Sequence, residues 1–220
     1  MDKHSLSPLM SSSNIIPNNM LSINSLSDPI KDTLDAWLKF GTVFLVYRLC
    51  TYFFFDRNKK DVQLFDKESV ALVLFILIGF SLYYLLVKPY IPIKFQHPVI
   101  KNLSSDMLMF GTVLVTSHVL ESLMSHGDMF TGNWLKNAGI ILLAFAAYDI
   151  IVYPFIPCKG MNEPHSTLVC DWAKYGAFLI IYRMFQGRSL ADQQWILSVL
   201  FALLGFAGYH FITKKLINVN

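Results

Sequence analysis

One six-residue pattern occurs three times in this chain, at residues 79–84 (GFSLYY), 144–149 (AFAAYD) and 205–210 (GFAGYH). Each copy has a small residue, a phenylalanine beside it and a tyrosine one helical turn further on. In a helix the small residue and the tyrosine lie on one face, where a neighbouring helix can approach closely. The pattern therefore predicts helix-packing positions at Gly79 and Gly205.

A second pattern precedes each copy: an aromatic residue, a glycine next to it, and a basic residue seven positions after the glycine. The glycines are Gly41, Gly111 and Gly176, and the basic residues are Arg48, His118 and Arg183. Seven residues make nearly two turns, so each glycine shares a helix face with its basic residue. We interpret the glycines as close-packing positions and the basic residues as parts of polar stripes that face protein rather than lipid.

Together the two patterns predict three copies of a two-helix hairpin. Each copy crosses the membrane twice, so all three have the same orientation and are related by an axis along the membrane normal. The predicted segments are a polar tail at 1–32 and hairpin repeats at 33–95, 103–158 and 167–216. The fold class is all-α, a polytopic membrane protein with six transmembrane helices in a pseudo-threefold arrangement. The alternative is that apolar helices resemble one another through composition alone.

The composition is that of an integral membrane protein. Of the 220 residues, 54% are hydrophobic and 15% are charged, against about 25% charged in an average soluble domain. Residues 70–87 are 18 consecutive uncharged residues, enough helix to cross the hydrocarbon core. These features exclude a soluble enzyme, a disulfide-knotted secreted domain and a disordered chain. The net charge of +3 is too small to indicate nucleic-acid binding.

Ionisable residues within the predicted spans form the candidate site. They are Arg48, His118, Glu121, Asp149, Arg183 and His210. An unpaired charge at the bilayer centre costs about 2.5–3.5 kcal/mol or more, so we expect these groups to pair, and Asp149 to pair with Arg48 or Arg183. Two interpretations remain. The network is either an ion or proton path, in which His118 and His210 titrate, or a polar lock that fixes the register of the hairpins.

The cysteines and the sequence motifs give little sign of chemistry. Cys158 and Cys170 bracket the loop between the fourth and fifth helices, and they form a disulfide if that loop faces an oxidising compartment. Their spacing with His165 matches no standard zinc pattern, so we predict no metal site. Because no nucleophile elbow, paired-histidine helix or phosphate-binding glycine loop occurs, we predict no cofactor and no enzymatic activity.

Two functions fit this sequence. The first is a structural or scaffolding role in a larger membrane-associated assembly, such as an organellar complex or the membrane layer of a virion. Its partners are the lipid bilayer and other proteins, which the N-terminal tail and the loops engage. The second is a channel or a small-solute transporter with a polar path along the pseudo-threefold axis. Six spans place both termini on one side, and the lysine and arginine distribution favours the cytoplasm.

Overall fold

The structure is a computed structural model that describes residues 26–57, 63–91, 93–125, 131–156 and 164–217. Within these ranges it is built from helices and short connections, with no strand. The six long helices are α1 (Asp28–Thr51), α2 (Lys67–Leu82), α3 (Pro98–Ser125), α4 (Gly132–Ala147), α5 (His165–Phe185) and α6 (Gln193–Gly208). Helix α1 begins at Asp28, inside the predicted tail of residues 1–32, because Pro29 is well suited to the first turn.

Five of these helices, with their continuations, are long and apolar enough to cross a membrane. The five segments are Asp28–Asp56, Lys67–Tyr90, Pro98–Ser125, Gly132–Phe155 and Gln193–Leu216. This finding indicates a multi-pass membrane protein. The remaining helix, α5, has 21 residues and carries Asp171, Lys174 and Arg183 along its length. Asp171 and Lys174 form ion pairs with other helices of the bundle, and Arg183 forms one with Asp192.

The two ends of the bundle are defined by its loops and its ion pairs. At the proximal end α1 begins and α2 ends, and Asp32 forms an ion pair there with Lys88. At the distal end α1 ends and α2 begins. Side-chain caps start three helices at the distal end: Asp66 caps α2, Thr131 caps α4 and Asp192 caps α6. Each cap accepts a hydrogen bond from a backbone N–H of the first turn, a group that would otherwise have no partner in the helix.

The even-numbered helices all change their winding at the tyrosine of the repeated pattern. Helices α2, α4 and α6 continue into π-helical turns at Tyr83–Val87, Tyr148–Val152 and Tyr209–Thr213. All three tyrosines are buried. The Tyr83 hydroxyl lies 3.4 Å from Ser105 Oγ on α3, and the Tyr209 hydroxyl donates to Asp35 on α1. The sequence analysis did not predict these π turns, which place tyrosines between neighbouring helices.

An aromatic layer occupies the middle of the bundle. It consists of Phe40, Phe80, Phe110, Phe145, Tyr175 and Phe206. Phe40 stacks on Phe80 at 4.5 Å between ring centroids, Phe110 stacks on Phe145 at 3.7 Å, and Tyr175 stacks on Phe206 at 4.5 Å. Edge contacts join the three stacks, because Tyr175 lies 5.8 Å from Phe40 and 6.5 Å from Phe145. The layer is continuous from one stack to the next.

The glycines of the two patterns have different surroundings. A Cβ atom at Gly79 would lie 2.8 Å from Val113 Cα, and one at Gly205 would lie 2.6 Å from Val43 Cα. Real Cβ contacts are not this short, so α2 meets α3, and α6 meets α1, at positions that require glycine.

The glycines of the odd-numbered helices do not meet the expectation of close packing. A Cβ atom at Gly41 or Gly111 would meet nothing within 4 Å, and at Gly176 only Leu203 Cδ2 at 4.0 Å. On α1 and α3 the close contact comes two residues later, where Val43 and Val113 face Gly205 and Gly79.

Candidate functional site

Two ion pairs at the proximal end join helices that are not consecutive along the chain. Lys39 of α1 contacts Asp171 of α5 at 3.1 Å, and Lys174 of α5 forms an ion pair with Asp106 of α3. All four side chains are largely shielded from solvent. Helix α5 is therefore tied to α1 on one side and to α3 on the other by charges within the bundle.

His210 completes the cluster on Asp171. Its Nε2 lies 2.7 Å from Asp171 Oδ2, and its Nδ1 lies 3.3 Å from the Thr167 hydroxyl. His210 is buried on the π turn of α6. The Asp171 carboxylate thus has two partners, Lys39 and His210, and the histidine is part of a structural contact between α5 and α6.

Asp149 is the most deeply buried of the predicted site residues, with 1% of its surface exposed. It lies beside Asp106 and Lys174. Its Oδ2 atom has no hydrogen-bond partner within the described residues. The ion pair of Lys174 is with Asp106, so Asp149 lies beside this pair rather than in it.

The predicted pairing of Asp149 with Arg48 or Arg183 is wrong. Arg48 contacts Asp66 at 2.9 Å and donates to the carbonyl oxygens of Gln63 and Leu64 at the start of α2. The physical reason is depth: Arg48 lies in the last two turns of α1, at the distal end, whereas Asp149 lies near the proximal end of α4. The nearest carboxylate to Arg48 is the cap of the next helix.

Arg183, near the end of α5, also contacts the aspartate that caps the next helix, α6. It contacts Asp192 at 2.9 Å, donates to the Ser189 carbonyl oxygen, and lies over the Trp195 ring at 5.2 Å. Asp192 is the N-cap of α6, as Asp66 is of α2. Each arginine therefore links the end of an odd helix to the start of the following even helix.

His118 occupies the corresponding place on α3. Its ring stacks on Trp134 in the first turn of α4, with 4.4 Å between ring centroids. Glu121 Oε2 is 3.9 Å from His118 Nδ1, and the Glu121 side chain is well exposed. The six predicted site residues therefore divide between two places, with Asp149 and His210 at the proximal end and the other four at the distal end.

The two aspartate caps make the distal end sensitive to pH. Hydrogen bonds from the backbone N–H of Ser69 and of Trp195 lower the pKa of Asp66 and of Asp192, respectively, below the ordinary value of 3.8. A carboxyl group with a lowered pKa stabilises the folded state above its ordinary pKa. This contribution declines below that value and is lost as the pH falls through the lowered pKa of the folded state.

We expect the first turns of α2 and α6 to lose hydrogen-exchange protection, relative to intrinsic exchange rates, as the pH falls below about 4. The first turn of α4 is the internal control, because its cap is the uncharged Thr131. In the Asp192→Asn variant the pH dependence should disappear from α6 alone. Equal loss of protection in all three first turns would contradict this assignment.

A charged proximal cavity of about 280 Å³ lies between the proximal ion pairs and the aromatic layer. Its polar lining includes Asp35, Lys39, Lys88, Asp106, Asp171 and Lys174, and its inner wall includes Phe40 and Tyr175. Phe40 and Tyr175 also line an apolar cavity of about 340 Å³ that includes Leu72, Leu114 and Phe178. The aromatic layer therefore separates a charged space from an apolar one.

The sequence analysis left the principal ion-pairing residues out of the candidate site. Lys39 and Lys174 lie two residues before the patterned glycines, and Asp106 and Asp171 lie five residues before them. Equivalent charges at fixed offsets within a repeat were the signal that could have identified them.

Three further features bear on chemistry. Cys50 is a free thiol, and Cys170 is disulfide-bonded. Cys158 lies outside the described residues, so the Cys158–Cys170 pairing stays a prediction. Within the part of the chain that the structure describes, no group of three or more His, Cys, Asp or Glu side chains is placed to hold a metal ion.

Comparisons of this chain with known protein families, with curated proteins and with solved structures found no match.

Proposed function

We propose that this protein has a non-enzymatic, structural role in a larger membrane-associated assembly, and that its membrane domain consists of three helical hairpins around a pseudo-threefold axis. The hairpins are α1–α2, α3–α4 and α5–α6. The tail and the loops engage other proteins of the assembly.

Equivalent contacts in the three helix pairs support the threefold arrangement. Each pair has one aromatic stack of the aromatic layer, one basic residue beside the start of the even helix, and one π turn that begins at the patterned tyrosine. The indole N–H groups of Trp37 and Trp172 also donate to the equivalent carbonyl oxygens of Leu77 and Leu203. Such agreement between side-chain contacts is not expected from a shared apolar composition.

The aromatic layer is the observation that carries the structural role. A solute moving along the axis would have to pass between rings in van der Waals contact, and four of the six rings (Phe80, Phe110, Phe145 and Phe206) are buried. The arginines that would mark a polar path are engaged at the distal end by the helix caps. A bundle closed in this way, and tied together by ion pairs, suits a fixed platform in the membrane.

The alternative is a transporter of small solutes. The observation that favours it is the charged proximal cavity, which holds ionisable groups from α1, α3, α5 and the continuation of α2 on the proximal side of the aromatic layer. In that case the rings would have to separate during each transport cycle, and the Lys39–Asp171 and Lys174–Asp106 pairs would act as a gate.

Two measurements on the intact protein test the proposal. In liposomes, we expect potassium, proton and chloride fluxes equal to those of protein-free vesicles, because the aromatic layer blocks the axis. Copurification in mild detergent should retain partner proteins in fixed stoichiometry, and a chain without residues 1–25 should lose at least one of them. A flux that the Arg183→Ala variant abolishes, or the absence of any stoichiometric partner, would contradict the structural role.

A further inference from the structure

A second polar cavity, of about 280 Å³, lies at the proximal end between the start of α5, the end of α6 and the first turns of α1. Its lining includes Ser166, Thr167, Lys39, His210 and Lys214. Because it lies where the helices begin and end, it is at the level of the lipid headgroups rather than of the acyl chains. We refer to it as the α5 cavity.

Ser166 is an unusual feature of this cavity. It is in the first turn of α5, only 8% of its surface is exposed, and it lines the α5 cavity. The Ser166 hydroxyl opens on the α5 cavity and makes no hydrogen bond with the described residues. It is therefore available as a donor to a group that the cavity receives.

The start of α5 supplies further hydrogen-bond donors. The residue before the helix is Pro164, which provides no side-chain cap. The first N–H groups of a helix have no partner within the helix, and the helix dipole makes this end favourable for an anion. Helices α2, α4 and α6 satisfy the same groups with the side chains of Asp66, Thr131 and Asp192, whereas α5, like α1, has no side-chain cap.

The charges around the cavity complete the anion-binding geometry. Lys39 and Lys214 line the cavity, as does His210, which lies 3.3 Å from Thr167. Two carboxylates, Asp35 and Asp171, also line it, but both have partners. Asp35 accepts the hydroxyl of Tyr209, and Asp171 contacts Lys39 and His210. An ammonium group has three donors, so Lys39 retains capacity for a second acceptor.

We propose that the α5 cavity binds the phosphate group of a phosphate ester, held by the first turn of α5, the Ser166 hydroxyl and Lys39. Phosphate has several strong acceptor oxygens, and helix starts with nearby lysines are sites that bind it. The group comes either from a phospholipid headgroup in the surrounding leaflet or from a soluble ester. The balance of two lysines and two carboxylates also suits a headgroup that carries an amine beside its phosphate.

The test measures binding to the full-length protein in detergent micelles by native mass spectrometry. The probes are dioleoyl phosphatidylethanolamine, dioleoyl glycerol as the matched lipid without phosphate, and glycerol 3-phosphate as the soluble ester. We expect phosphatidylethanolamine to bind at least about tenfold more tightly than dioleoyl glycerol, which is the effect of one or two charge-assisted hydrogen bonds.

Variants of Ser166 locate the binding. Ser166→Asp places a carboxylate in the first turn of α5, where it is compatible with the helix but repels phosphate, so phosphatidylethanolamine should bind no better than dioleoyl glycerol. Ser166→Ala should weaken binding by about three- to tenfold. Gln193→Asp, which puts the same charge in the first turn of α6, is the matched control and should bind normally.

Each outcome decides the proposal. Competition by glycerol 3-phosphate supports the site with a soluble ester as sufficient ligand, and Ser166-dependent lipid binding without competition supports the phospholipid as the source. Equal binding of phosphatidylethanolamine and dioleoyl glycerol, or unchanged binding in Ser166→Asp, overturns it. Unchanged thermal unfolding midpoints show that the variants are folded.

Discussion

Replacement of Gly205 by alanine is expected to destabilise the protein by about 2–3 kcal/mol, the upper part of the range for overpacking of a well-packed interior. The new Cβ atom would lie 2.6 Å from Val43 Cα and 3.0 Å from Val43 O, so the atoms that it meets belong to the α1 backbone and cannot rotate away. Helices α1 and α6 must therefore move apart. The midpoint of thermal unfolding in detergent measures the effect.

Gly41→Ala is the matched control for Gly205→Ala. A Cβ atom at Gly41 meets nothing within 4 Å, and alanine is favoured over glycine within a helix by about 0.5–1 kcal/mol. Gly41→Ala should therefore leave the midpoint unchanged or raise it. If the two variants behave alike, the close approach of α1 and α6 at Val43 is not what determines the cost.

Lys174→Met is expected to cost about 3–5 kcal/mol, because removal of one partner from a buried ion pair leaves the other charge without compensation. Asp106 is buried, and Asp149, which is also buried, lies beside it. Methionine retains most of the length of the lysine side chain, so the loss arises from the charge rather than from a cavity. The measurement is again the unfolding midpoint, supported by the yield of monodisperse protein.

Lys88→Met provides the comparison for Lys174→Met. The Lys88 and Asp32 side chains are 50% and 40% exposed, and an exposed pair contributes about 0–1 kcal/mol. In the double variant Lys174→Met with Asp106→Asn, much of the lost stability should return, because one buried charge is removed with its partner. A cost at Lys174 no greater than that at Lys88, without recovery in the double variant, would show that the pair is not important for stability.

Much of the secondary structure could be predicted from the sequence. Helices of membrane length follow from uninterrupted apolar runs, such as residues 70–87. These signals are local, and each depends only on residues within a few turns of one another. The pseudo-threefold arrangement remains a proposal, because it concerns how whole helices are related rather than how each one forms.

The candidate site was harder to predict, because the partner of a charge depends on depth and on helix order. The sequence predicted that Asp149 pairs with Arg48 or Arg183, whereas the structure places it beside Asp106 and Lys174. Arg48 and Arg183 contact the distal caps Asp66 and Asp192. Lys174 lies on a different helix from Asp149, so its position beside Asp149 depends on how the helices pack. The π turns at Tyr83, Tyr148 and Tyr209 also had no signal, since the same residues can form an ordinary α-helix.

The location of the polar contacts has a mechanical consequence. Among the described residues, ion pairs that join one helix pair to another lie near the proximal end, whereas the arginine contacts at the distal end stay within a single helix pair. In the distal half, helices of different pairs are therefore joined by apolar contacts, such as those of Phe54 and Phe55 with Phe201, rather than by these ion pairs. A change of lateral pressure in the distal leaflet would act on these apolar contacts, and the ion pairs at the opposite end would stay intact.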